Sequence, residues 1–180
     1  MSSTSYALFA TPIGDCAIVW GTGGIVGTSL PAATPAASRA LLQRRYPAAQ
    51  EAPPPAAIAQ VIDAIRALLA GEPRDLLEVP LDMARIASFE RRVYEAARAI
   101  PPGRTLTYGE LAARIGAPTE ARAVGQALGA NPYPIVVPCH RILGAGGRSG
   151  GFSAPGGTRT KLRLLEIERA VLGDGPGLFD

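Results

Sequence analysis

The chain has 180 residues, 47% of them hydrophobic and 18% charged, with a formal net charge of +3. This composition supports a packed core and excludes a disordered chain; 21 glycines and 17 prolines without a three-residue period exclude a collagen-like one. Two cysteines, Cys16 and Cys139, and a single histidine, His140, are too few for a disulfide framework or a Cys/His zinc site, so neither metal nor cofactor is expected.

No basic region precedes the first apolar stretch, which Asp15 interrupts. No run approaches the roughly 18 apolar residues that span a bilayer. A reducing, cytoplasmic setting is the expectation, and it suits free thiols. Charge is uneven along the chain. Residues 1–84 carry five Arg against seven acids, or −2, and residues 85–180 carry thirteen Arg plus Lys against eight acids, or +5. Lys161 is the only lysine, so the positive charge is nearly all guanidinium, which suits phosphate contacts and makes nucleic acid a candidate partner.

The first part reads as a small α/β domain, residues 1–84. Three β-rich runs, Tyr6–Thr11, Cys16–Trp20 and Ile25–Leu30, are separated by turn signals at Pro12–Asp15 and Gly21–Gly24 and predict a short antiparallel sheet. Ser38 is a candidate cap for a short helix reaching Tyr46. Ile58, Val61, Ile62, Ile65, Leu68 and Leu69 share one helical face before Gly71. Leu76–Leu81 is a candidate last strand. Cys16 alternates with apolar neighbours and reads as core.

Residues 85–180 read as a mostly helical second domain. Ser88 is a candidate cap for a helix with the stripe Phe89, Val93, Ala96, Ala97 and Ile100, ended by Pro101-Pro102-Gly103. Thr107-Tyr108-Gly109-Glu110 is a capping box opening a helix to about Ile115. Gly116-Ala117-Pro118 turns the chain into a further helix at about Thr119–Leu128, giving a helix-turn-helix. Around Arg122 that second helix carries Ala121, Ala123 and Gly125. Such small residues permit either close helix packing or close approach to a narrow nucleic-acid groove with one projecting guanidinium.

The informative segment is Asn131-Pro132-Tyr133-Pro134-Ile135-Val136-Val137-Pro138-Cys139-His140-Arg141. Its prolines fix φ and remove donors, so it is a rigid connection that delivers Cys139 to a set place. A thiolate is the working nucleophile, and His140 with Arg141 supplies a base and positive potential beside it. A carboxylate would orient the imidazole; Glu166 and Glu168 lie at different margins of the leucine stripe of the last helix, about 158–170, and spacing does not choose between them.

Pro138-Cys139-His140-Arg141, preceded by Asn131-Pro132 and followed by Gly151-Phe152-Ser153, resembles the methylated-DNA–protein-cysteine methyltransferases, or O6-alkylguanine-DNA alkyltransferases. The match extends through Phe89–Tyr94, Ile100–Gly103, Thr107-Tyr108, Leu111-Ala112, Arg122–Gly125 and Lys161–Glu168, while the first part matches loosely through Thr11–Gly14. The resemblance implies single-turnover transfer of the alkyl group of O6-alkylguanine in duplex DNA, with O4-alkylthymine a second candidate, to Cys139. His140 would take the thiol proton through a water, and Glu168 rather than Glu166 would orient the imidazole. Tyr108 would hydrogen-bond or protonate the departing guanine, and Asn131 would brace the turn. Ser153 and the Ile142 backbone would contact the flipped base between apolar walls from Pro134 and Phe152. Arg122 would fill the vacated stack while Ala121, Ala123 and Gly125, with Thr119 at the helix start, lie in the minor groove. Phe152, Ala154-Pro155, Tyr94 and Gly129-Ala130 stand where the family commonly has Tyr, glycine, Trp and, in some members, a basic residue.

A monomer is expected, with duplex DNA containing O6-alkylguanine as partner, no membrane, and cooperative assembly on DNA left open. Three other readings compete: a non-enzymatic alkyltransferase-like damage binder, against which the presence of Cys139 speaks; a cysteine hydrolase, for which no oxyanion-hole motif is evident; and a helix-turn-helix regulator, which leaves Cys139-His140 unexplained.

Overall fold

The computed structural model describes residues 3–147 and 156–170. Strands β1 (Ser5–Thr11), β2 (Gly14–Gly21) and β3 (Gly24–Ser29) form the expected antiparallel meander. A two-residue strand β4 (Gln50–Glu51), too short to leave a periodic signal, adds in parallel to β1, giving the order β3-β2-β1-β4. Side chains of β2 alternate between two buried faces. Cys16 and Ile18 meet Ile58, Val61, Ile62, Ile65 and Leu68 of α2 (Ala56–Leu69), whereas Ala17 and Val19 meet Leu42 of α1 (Pro35–Arg45). The sheet is thereby covered on both sides, each fully buried aliphatic side chain contributing about 1.5–3 kcal/mol.

Two local expectations change. α1 is capped by Thr34, whose hydroxyl accepts from Ala37 N–H at 3.1 Å with Pro35 as first helical residue. Ser38 lies inside the helix, its hydroxyl taken by Ala32 N–H. Leu76–Leu81 is not a strand. Leu76 has φ 58°, and the carbonyls of Leu76, Leu77 and Val79 converge on the Arg98 guanidinium rather than on a ladder, leaving one bridge between Leu81 and Ile25.

The second half packs α3 (Ser88–Arg98), α4 (Tyr108–Arg114), α5 (Ala121–Gly129) and α6 (Gly157–Ile167). α3 begins after Ala87 without a side-chain cap, since Ser88 is its first helical residue. The capping box of α4 is complete: Thr107 Oγ1 accepts from Glu110 N–H at 3.1 Å and Glu110 Oε2 from Thr107 N–H at 2.7 Å. Gly116, at φ 74°, makes the left-handed turn between α4 and α5 that residues with a side chain rarely adopt. Thr119 lies in that turn, because α5 starts two residues later at Ala121 with Glu120 as cap. A parallel pair missed by the sequence reading joins β5 (Leu106–Thr107) to β6 (Ile142–Leu143). One apolar cluster runs without a break from Phe9, Ile18 and Ile65 to Val93, Leu111, Val124, Val137 and Leu164.

Candidate active site

Residues 131–143 form the centre of the molecule. Asn131 is buried and uses both ends of its amide on its own loop: Nδ2 donates to Val137 O at 2.9 Å, and Oδ1 accepts from Tyr133 N–H at 2.9 Å. Val137 N–H closes the loop on Tyr133 O at 2.8 Å, and Ile135 inside it has φ 76°. Cys139 N–H donates to Val137 O, and Cys139–Arg141 makes one 3-10 turn before β6. The prolines thus produce the rigid connection that the sequence implied.

The Cys139 thiol is pushed up by burial, against which a hydrogen bond with the Asn131 side chain, the charge of Lys161 and the backbone N–H groups of Cys139 and His140 all act. Cys139 keeps partial exposure and lines a cavity of about 590 Å³ together with Asn131, Pro134, Leu128 and Gly129 on one side and Thr28, Leu30, Leu41 and Arg45 on the other. Cys16 is different: it is buried in the sheet core with its thiol pushed up to about 12 by burial, a structural sulfur.

His140 is 1% exposed, and its Nε2 lies 2.8 Å from Glu168 Oε1. Its Nδ1 is buried with no partner among the described residues. Glu168 caps the end of α6 with its side chain 3% exposed, while Glu166 is exposed, so geometry makes the choice that the helical wheel left open. α6 ends at Ile167, earlier than expected, because Arg169 turns left-handed at φ 53° and Ala170 N–H returns to Leu165 O. Burial would raise the Glu168 carboxyl, but the charges and hydrogen bonds of His140 and Arg141 hold it at about 2.

Arg141 does not serve the thiol as its position beside Cys139 suggested. It is buried and grips Glu168 with two hydrogen bonds, at 2.9 and 2.7 Å, and donates a third to Ile100 O at 2.6 Å. The cation facing Cys139 is Lys161, fully buried on α6, donating to Ile142 O at 2.6 Å and brought down to about 8 by burial. Its status as the only lysine was the available signal, but composition does not reveal which cation is buried.

Tyr108 opens α4 with its ring packed on Gly125 of α5, and its hydroxyl is raised by burial and then by Cys139. The structure therefore brings Cys139, His140, Glu168, Tyr108, Asn131 and Pro134 around one centre. Ile142 is buried beside it, outside the cavity lining, with its carbonyl engaged by Lys161. Ser153 and Phe152 lie outside the described residues.

On the far side of Tyr108, α5 turns Arg122 to solvent, with no hydrogen-bond or ion-pair partner among the described residues. Ala121, Ala123 and Gly125 are partly exposed on the same short helix, while Val124 and Leu128 enter the core.

Comparison with known proteins finds relatives over most of the chain. The family model for the DNA-binding domain of 6-O-methylguanine DNA methyltransferase matches residues 88–170. A methylated-DNA–protein-cysteine methyltransferase of Mycobacterium tuberculosis is 44% identical over 128 residues, 71% of this chain and 75% of its own. The chain belongs to the methylated-DNA–protein-cysteine methyltransferase family. The crystal structure of Mycobacterium tuberculosis OGT in complex with DNA superposes with a TM-score of 0.72 at 36% identity, covering 91% of this chain and 92% of that one. A Thermus thermophilus relative named a DNA base-flipping protein is 41% identical over 138 residues, 77% of this chain and 90% of its own. Membership makes this a DNA-binding alkyltransferase of DNA repair.

Proposed function

We propose that the protein repairs duplex DNA by moving the alkyl group of O6-alkylguanine irreversibly to Cys139, one transfer per molecule, with O4-alkylthymine as a second candidate substrate. The observation that carries this reading is the His140 ring, fixed through Nε2 to Glu168 with Nδ1 left without a partner among the described residues, beside a cysteine that opens into a cavity. A base held in one orientation by a carboxylate, with its other nitrogen available, is the arrangement that deprotonates a neighbouring nucleophile.

In the proposed reaction the Cys139 proton passes through a water to His140. Glu168 and its bound Arg141 hold the imidazole in place as it becomes charged. The sulfur forms a bond to the alkyl carbon as the carbon–O6 bond breaks. The electron pair goes to the guanine, which the Tyr108 hydroxyl hydrogen-bonds or protonates. The product is a thioether, and nothing in this scheme returns it to a thiol.

The target atom lies inside the duplex, so the nucleotide must be flipped, at a cost of a few kcal/mol. In this reading the face of α5 enters the minor groove. Arg122 occupies the vacated stack, and Ala121, Ala123, Gly125 and Thr119 allow the close approach. Ser153, Phe152, Pro134 and the Ile142 backbone hold the flipped base. The protein acts as a monomer, with a boundary near residue 84 between support and catalytic domains. No described helix is long and apolar enough to cross a membrane, and a cytoplasmic location is part of the proposal.

A non-enzymatic damage binder is the second reading, kept because the Thermus thermophilus relative is named only for base flipping. Intact mass after incubation with a duplex containing one O6-methylguanine separates the two. One methyl group gained on Cys139, saturating at one per protein, supports transfer; tight binding of the lesion with no mass gain supports the binder.

A further inference from the structure

β3 is an edge strand, and its outward N–H and C=O groups need partners. One stretch of the edge pairs with the segment between the halves: Ile25 N–H donates to Pro80 O at 2.9 Å and Asp82 N–H to Ile25 O at 2.8 Å. The next stretch pairs with the segment that carries the nucleophile. Thr28 N–H donates to Pro132 O at 3.0 Å, and Thr28 Oγ1 donates to Pro134 O at 2.7 Å. Gly27, next along the strand, leaves room for the Tyr46 ring, whose hydroxyl a Cβ there would strike.

The chemistry of the facing segment explains why a hydroxyl is needed. Pro132 and Pro134 have no N–H, and Tyr133 N–H is already used by Asn131 Oδ1, so this stretch offers β3 only acceptors. An ordinary ladder cannot form, and the Thr28 side chain supplies the second donor. The carbonyl it holds belongs to the peptide unit of Ile135, a β-branched residue at φ 76°, a conformation that persists only where its surroundings fix it. From that peptide the loop runs through Val137, gripped by Asn131, to Cys139.

We propose that Thr28 is a positioning residue for Cys139. Its hydroxyl fixes the Pro134–Ile135 peptide from the N-terminal sheet and keeps the sulfur against Asn131 and Lys161. The proposal rests on the alkyl-transfer reading for its biological meaning, while its geometry concerns the thiol alone.

The test compares full-length parent, Thr28→Val and Thr28→Ser in three measurements. These are melting temperature, the rate of Cys139 modification by iodoacetamide from neutral to alkaline pH, and the rate of self-alkylation by O6-benzylguanine as free base. Thr28→Val should slow both reactions about five- to tenfold at neutral pH and move the iodoacetamide profile to higher pH, with Thr28→Ser restoring both. Should valine prevent folding, Thr28→Ala is read in the same assays. Parental rates and profile without the hydroxyl, or equal slowing in the serine variant, would overturn the proposal. A parent inert to O6-benzylguanine whose iodoacetamide profile still follows the Thr28 pattern would remove the transfer reading and leave the positioning role standing.

Discussion

Glu168 Oε1 stands 2.8 Å from His140 Nε2 and 2.7 Å from an Arg141 nitrogen, so one buried oxygen serves a base and its neighbouring cation at once. The carboxylate orients the imidazole, and the guanidinium fixes the carboxylate through a second bond to Oε2. Arg141 is itself anchored on Ile100 O, which ties the pair to the end of α3. A chain of this kind gives the ring one position and one set of partners.

This arrangement has an acid signature. Glu168 titrates at about 2 in the folded protein against an ordinary 4.5, because His140 and Arg141 outweigh the opposing effect of burial. A depressed carboxyl stabilises the fold fully above its unfolded value, and the contribution fades as pH falls from 4.5 towards 2. The loss should be on the order of 3 kcal/mol, read from urea unfolding at descending pH. Glu168→Gln should remove that slope and cost about 3–5 kcal/mol at neutral pH, because Arg141 is left buried without its counter-charge.

Cys139→Ser should end methyl transfer while leaving affinity for lesion-containing duplex within about twofold, since the hydroxyl adds no bulk at the site. Intact mass and a binding titration on the same preparation check both halves. Loss of transfer and binding together would assign the thiol to structure.

Arg122→Ala should slow repair of duplex at least about tenfold and leave reaction with free alkylguanine unchanged, because only the duplex requires the flip. Equal slowing with both substrates would exclude the flipping role.

Lys161→Met keeps much of the buried stem and removes the charge that helps hold the Cys139 thiol down. The pH profile for thiol modification should move to higher pH, with about tenfold slower reaction at neutrality. An unchanged profile would show that Lys161 does not tune the thiol.

Much of this was legible in the sequence because local rules governed it. The three strands follow turn glycines and period-two alternation, α2 follows its apolar stripe, and Thr107–Glu110 carries its cap in four residues. The Pro-rich delivery of Cys139 was also readable, since proline acts on its own backbone. What sequence could not resolve depends on contacts between distant segments. Residue type points to Ser38 as the cap, whereas Thr34, followed by Pro35 as first helical residue, caps the helix four positions earlier. Glu166 and Glu168 differ by burial against His140, a partner 28 residues away for Glu168. Arg141 and Lys161 exchange the roles that adjacency suggested, because a 3-10 turn rotates Arg141 away from the sulfur while α6 brings Lys161 to it. Leu76–Leu81 has strand composition, yet Arg98 takes its carbonyls.

The short parallel pair of β5 and β6 joins Leu106 to Ile142 and Thr107 to Leu143. Thr107 caps the helix that begins with Tyr108, and Ile142 follows the turn that begins with Cys139. The distance between Tyr108 and Cys139 is therefore set by main-chain hydrogen bonds, which are indifferent to side-chain identity. Sequence drift or deliberate redesign along the exposed face of α5, the surface proposed to meet DNA, can proceed without disturbing where Tyr108 stands relative to Cys139. Insertions between residues 107 and 142 are likewise tolerable only where they leave both ends of that pair in register.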